Sequence, residues 1–361
     1  MKLRAVLLAC AVVLLARGAL ADTPPCAWDV AKDPDARARW ALHVRVERML
    51  SLPRDEEDGP PDPRVDPELR LEAARAVLEE ADAAHSPDVR LQFDLGGVYY
   101  QLGERQGGNL DLLRKAIDVL APAIAAHPEE PSATEALEKL VYSYAKMNRP
   151  HEELATWRRY IPLLVDDRSR AVAMMNMGEA EMRLGHIDDA LGTFREVMRL
   201  CGELPNTGGN GSTYVLSMWD LAVALDRSGD PGGALDAANT ASRMTVIDSR
   251  GLPSTGGTLI ASDPAVFFVP AWERQWYLAL ASAAEAREAK DARDAAERWA
   301  ASERHWDAYI AKATADGGKD LFLRIARTRR DQVRGRVVAA QRAAARLPKR
   351  RHGVGWEGIE P

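Results

Sequence analysis

The 361-residue chain contains three cysteines and five phenylalanines, and aromatic residues make up only 6% of it. So few cysteines exclude a scaffold built from disulfides, so a hydrophobic core must hold the fold. Beyond the first 21 residues no apolar run approaches the roughly 20 residues that cross a bilayer, so no membrane span is expected. There is no excess of positive charge. Lys and Arg total 48 against 54 Asp and Glu, and the net charge of −6 argues against a nucleic-acid-binding protein. His43, His85, His127, His151, His186, His305 and His352 are scattered singly. No His-x-x-x-His, Cys-x-x-Cys or Gly-x-Ser-x-Gly occurs, so the spacings of zinc sites and nucleophile elbows are missing. The glycine-rich run Asn206–Thr213, NTGGNGST, lacks the Gly-Lys-Ser/Thr that reaches phosphates, and reads as a flexible connector. Neither catalysis, a cofactor nor a metal is expected.

Ala, Leu, Glu and Arg are abundant, a composition that favours helix. The chain opens MKLRAVLLACAVVLLARGALADT. Lys2 and Arg4 form a basic n-region, Ala5–Ala16 a short apolar core, and Ala19-Leu20-Ala21 a small-x-small cleavage site, so residues 1–21 read as a secretory signal. Leu7-Leu8-Ala9-Cys10 offers a minor alternative, lipidation at Cys10, although little apolar sequence precedes it. The short signal and the preference for Arg over Lys point to a bacterial, periplasmic protein. Export leaves Cys26 and Cys201, which are compatible with one disulfide and equally with two separate thiols.

The stretch Met177–Leu200, MGEAEMRLGHIDDALGTFREVMRL, holds two short amphipathic runs. Met174, Met177, Glu181 and Leu184 fall on one side of the first. Gly185 supplies the left-handed residue that ends a helix, and Asp188 and Asp189 stand where a helix dipole favours anions. Ala190, Leu191, Phe194, Val197 and Met198 line the second run. Gly178 and Ala190 are small enough for two antiparallel helices to meet closely, and are expected to face one another.

This stretch resembles a tetratricopeptide (TPR) repeat, W-x₂-L-G-x₂-Y…A-x₃-F…P over 34 residues. Met174, Met177, Gly178 and Glu181 occupy the first-helix positions, and Ala190 and Phe194 the second. The pattern recurs in Gln92, Leu95, Gly96 and Tyr99 with Ala116, Leu120, Ala123 and Pro128, the turn between them lengthened by Glu104–Leu113. It recurs in Leu137, Leu140, Val141 and Tyr144, in Met218, Leu221, Ala222 and Leu225, and more loosely across Ala279–Ile310. The resemblance implies an all-α superhelical array of helix-turn-helix units at 88–132, 133–168, 170–204, 214–248 and 276–312. Residues 22–87 form N-terminal helices of a degenerate unit around an acidic, proline-rich linker at 53–67. Single hairpins cannot bury their apolar faces; stacked neighbours share a core and the last one needs a cap. Residues 316–347 are expected to be that capping helix, with 348–361 a flexible basic tail. The segment 249–270 is an inserted loop that either folds back over the groove or packs as a connector beside Trp272 and Trp276.

In the resembled family the first helices line a concave groove that binds a peptide or helix of a partner. The resemblance places Phe93, Tyr100, Tyr142, Met175, Glu179, Met182, Arg183, Trp219 and Arg227 on or near that face, where several could equally be inter-helix core. The family members that clamp a C-terminal carboxylate use Lys and Asn there; Phe93, Glu138, Met175 and Trp219 stand in their places, which argues against that role. The expected function is a non-enzymatic protein-interaction scaffold holding a peptide or helix of another envelope protein. The alternative is binding of an anionic envelope polymer or lipid by the arginine-rich helix Leu321–Arg351, whose default reading is a solvated cap face with dispensable arginines.

Overall fold

A computed structural model of the protein describes residues 32–51, 66–203 and 210–347. The signal segment, Cys26, the 53–65 part of the acidic linker and the tail from 348 lie outside the described residues. Among those described there are fourteen α-helices, and the chain divides into two compact units at Ser143/Tyr144.

The first unit contains α1 (Pro34–Leu50), α2 (Pro67–Glu80), α3 (Val89–Arg105), α4 (Leu110–Ala126) and most of α5 (Ala133–Lys146). Its helices begin where short polar side chains accept otherwise unpaired backbone N–H groups: Asp66 before α2, Asp88 before α3 and Asn109 before α4. Leu71, Leu78, Leu91, Leu95, Val98, Leu102, Leu112 and Ala116 form its core. α3 and α4 meet at Gly96, where an added Cβ would lie 2.4 Å from Leu120. The turn between them is shorter than the sequence suggests. α3 continues through Gly103, and Gly107 and Gly108 take positive φ so that the N–H groups of Gly108 and Asn109 both reach the Gly103 carbonyl.

The second unit contains α6 (Pro150–Tyr160), α7 (Asp167–Arg183), α8 (Ile187–Glu203), α9 (Asn210–Ser228), α10 (Pro231–Arg243), α11 (Gly256–Ser262), α12 (Arg274–Glu288), α13 (Ala292–Ala315) and α14 (Leu323–Ala345). Gly185 at φ 79° and Gly229 at φ 100° turn the chain between α7 and α8 and between α9 and α10. Trp219, Trp276, Trp306, Tyr309 and Phe194 are fully buried, and Trp276 meets the rings of Trp306, Tyr309 and Phe322 edge-on. Gly178 packs on Phe194, one turn beyond the Ala190 expected, because the ring rather than the small side chain fills the crossing. Ala190 is itself fully buried.

Within the segment 249–270, residues 253–262 form regular structure and 263–270 run as a connector. Strands β1 (Thr245–Ile247) and β2 (Pro253–Thr255) pair antiparallel, with Val246 opposite Ser254, and α11 follows at once. Asp248 accepts the N–H groups of Arg250 and Leu252, while Asp263 accepts those of Ser249 and Ala265. Two aspartates thus supply the backbone partners that a three-residue ladder cannot. Leu259 and Ile260 enter the core, and the Trp219 indole N–H donates to the Gly256 carbonyl at 3.0 Å.

α14 lies along α13, burying Leu323, Ala326, Val333 and Val337. Leu321 and Val338 are exposed. The arginines of α14 are not a uniformly solvated face. Arg329 donates to Asp226 at 2.6 Å with only 13% of its side chain exposed, Arg330 reaches Asp307, and Arg334 reaches Glu303.

Candidate functional site

The groove residues suggested by the sequence separate into two sets. Phe93, Met175, Met182, Trp219 and Arg227 are buried, and Trp219 is additionally covered by the start of α11. They pack the array instead of presenting a surface. Tyr100, Tyr142 and Glu179 are half-buried, and the Arg183 side chain retains a tenth of its exposure.

In the first unit, Tyr100 on α3 neighbours Glu138 and Tyr142 on α5. Burial, then the charge of Glu104, raises the Tyr100 hydroxyl well above its usual range, and burial raises the Glu138 carboxyl. Gly97 makes room for the Lys139 ammonium, which lies 3.2 Å from where a Cβ would sit and pairs with Glu135 at 2.5 Å.

In the second unit a chain of buried charges runs from helix to helix. Arg183 on α7 pairs with Glu153 on α6, and Arg227 on α9 pairs at 2.5 Å with Glu273, just before α12. The Arg227 guanidinium is held between the rings of Trp276 and Phe322, 4.5 and 4.1 Å from their centroids. Asp226 accepts from Arg329 and from the Trp276 indole, while Tyr309 donates to Asp320 at 2.8 Å. Among the described residues, Asp220 accepts from Tyr277 at 2.8 Å and its other oxygen is buried without a partner. Burial therefore pushes the Asp220 carboxyl up to about 7, although the Tyr277 hydrogen bond pulls the other way. Burial and the neighbouring Asp220 charge raise Glu179 well above the carboxylate range. Two carboxyls so placed favour carrying protons over carrying charge.

Beside this chain of charges opens a cleft of about 250 Å³, lined among others by Asn148, Arg183, Trp272, Glu273, Leu321 and Phe322. Among the described residues, Arg183 Nη1 and the Trp272 indole N–H are buried with no acceptor. Each such orphan donor costs about 1–3 kcal/mol. Leu321, 63% exposed, adds apolar surface at the same cleft. The cleft lining mixes charged Arg183, Glu273, Asp316, Lys319 and Asp320 with apolar Leu321 and Phe322.

The sequence pointed to Arg183 and Glu179 but not to Glu153, Asp220, Trp272, Glu273 or Asp320. These polar residues sit one helix away from their partners, so no local spacing joins them. Cys201 is a free, buried thiol packed among Ala171, Met175 and Val197; Cys26 lies outside the described residues. No helix of the described residues is long and apolar enough to cross a membrane.

Successive helical hairpins that close on small residues and stack into shared cores make this chain an all-α array of helix-turn-helix repeats, with α14 packed along α13. No protein-family model matches the chain, and no curated protein matches it. Among solved structures it is similar to two crystal structures from Podosopora anserina described as kinesin light chain nearly identical TPR-like repeats. One, a single-residue variant, is 16% identical with a TM-score of 0.38, covering 57% of this chain and 92% of that one. The other is 13% identical with a TM-score of 0.34, covering 72% of this chain and 97% of that one.

Proposed function

We propose that the protein is a non-enzymatic scaffold that holds a peptide or helix of a partner protein, and that it works in the cell envelope after export. The observation that carries this reading is the cleft of about 250 Å³ beside Arg183 and Trp272, where charged residues stand next to apolar Leu321 and Phe322. An extended peptide fits such a cleft: the charged lining fixes its register, and its apolar side chains cover Leu321. The amino-terminal segment 1–21 supports export, and binding at Cys10 to lipid is the lesser variant of the same address.

Capture from an envelope extract at low and high salt tests the proposal. The bait pair is the parent chain and an E153Q/R183Q double variant, which exchanges the buried ion pair for neutral amides of similar size. A protein retained by the parent at high salt and lost from the double variant supports the cleft. Retention only at low salt, on an anionic polymer, and undiminished in the double variant, would move the function to α14. The engagement of Arg329, Arg330 and Arg334 in internal ion pairs weighs against that alternative.

A further inference from the structure

In the first unit, three side chains converge that the scaffold reading does not use. His43 and Glu47 stand one turn apart on α1, and Asp94 projects from α3. His43 Nδ1 and Asp94 Oδ2 are 2.6 Å apart, and one potential ligand atom from each of the three residues lies within 4.8 Å of the others. The geometry points to a divalent transition-metal site, best suited to Zn²⁺, that clips the N-terminal helix α1 onto the first repeat.

The donor set fits the ion. One imidazole and two carboxylates form a mixed nitrogen and oxygen set of the kind that takes Zn²⁺ at about 2.0–2.2 Å, leaving a coordination position to water. Opening the 2.6 Å His43–Asp94 contact by about 0.8 Å gives the roughly 3.4 Å ligand separation that tetrahedral bonds of this length require. His43 and Asp94 keep 18% and 11% of their side-chain exposure, so they are partly fixed by packing, whereas Glu47 is exposed and free to swing in. The neighbouring Arg90 does not compete strongly. Arg90 is tied through Nε and Nη2 to Asp88 at 2.8 and 2.7 Å, and its guanidinium lies 4.6 Å from the Trp40 ring centroid.

The position gives such an ion a structural task. α1 contributes one fully buried side chain, Val46, with Leu42, Met49 and Leu50 only partly covered, so apolar contact anchors it weakly. An ion bridging α1 and α3 stabilises the docked helix in proportion to its affinity, since the undocked chain does not hold the three ligands together.

Calorimetric titration of the tag-free chain with ZnCl₂ at about pH 8 tests the site. The parent should bind one Zn²⁺ and gain thermal stability and amide protection over residues 34–50, while Mg²⁺, which prefers an all-oxygen octahedron, should give neither. His43→Gln and Asp94→Asn should each weaken binding about tenfold or more. His85→Gln, at an exposed histidine outside the cluster, should change nothing. Because His43 and Asp94 also join two helices, Glu47→Gln is the deciding variant: it should melt like the parent without metal yet lose about tenfold in Zn²⁺ affinity. No binding by the parent, or undiminished binding by either the Glu47→Gln or the His43→Gln variant, overturns the site.

Discussion

The backbone of Gly178 runs against the ring of Phe194, so closely that a methyl group at position 178 would lie 2.5 Å from the ring Cε1. No carbon tolerates that approach, and a large ring wedged between two helices has little room to retreat. Gly178→Ala should therefore cost about 1–3 kcal/mol despite the better helix propensity of alanine. Gly192, on α8 with nothing within 4 Å of its would-be Cβ, is the control, and Gly192→Ala should be neutral or stabilising. Urea unfolding of the two variants gives the comparison; equal midpoints would mean the hairpin does not close at this crossing.

The arginines of α14 differ in their surroundings, and the difference is measurable. Arg329 reaches Asp226, whose side chain is 1% exposed, whereas Arg334 is 54% exposed beside Glu303. Removing Arg329 strands a buried carboxylate, which typically costs about 3–5 kcal/mol. Removing Arg334 breaks a surface pair worth about 1 kcal/mol or less. Arg329→Gln should melt well below the parent and Arg334→Gln beside it, in contrast to the expectation from sequence that both are dispensable.

The buried Asp220 carboxyl makes stability fall as pH rises. Its folded pKa of about 7 exceeds the ordinary aspartate value, so between roughly pH 4 and 7 the folded protein holds a proton that the unfolded chain releases. Stability conferred by that proton is complete below about pH 4 and gone above about 7, with a slope of up to about 1.4 kcal/mol per pH unit. Asp220→Asn keeps the shape and cannot ionise. Its unfolding free energy, measured from about pH 4.5 to 8, should rise relative to the parent across the window; parallel curves would show that Asp220 is charged in the folded protein.

The start of α11 rests on α10 with no space for a side chain: a Cβ at Gly256 would lie 2.0 Å from the Ala241 carbonyl oxygen. Gly256→Val should undock the insert, uncover Trp219 and open residues 249–262 to protease. Cleavage at the parent rate would mean that the insert does not depend on this contact.

The hairpin array was legible because its positions repeat. Gly96 and Gly178 recur at matching places in different units, and Gly185 marks a turn by chemistry that needs no tertiary context. The β-hairpin and α11 were not legible. β1 and β2 are three residues each, and Asp248 and Asp263 hold them through backbone contacts that leave no period in the sequence. The site was half-legible for a related reason. Arg183 and Glu179 fall on a helix face that the repeat register identifies, whereas Glu153, Asp220 and Glu273 earn their place only by facing residues on other helices. Trp219 and Arg227 lie on the expected helix, yet the insert covers the first and Glu273 with two rings encloses the second. His43, Glu47 and Asp94 escape any motif because the third member stands 51 residues from the first.

That a partner peptide occupies the cleft beside Arg183 is tested most directly by placing a photo-crosslinking amino acid at Leu321, an exposed residue of the cleft, in the full chain expressed in its own cells. Val165, 95% exposed and outside the cleft lining, takes the same probe as control. On irradiation the Leu321 probe should give a discrete protein adduct that the Val165 probe does not, and the adduct should vanish in the E153Q/R183Q background. Adducts of equal yield from both positions, or an adduct that persists without Arg183, would contradict the assignment of the cleft as the partner-binding surface.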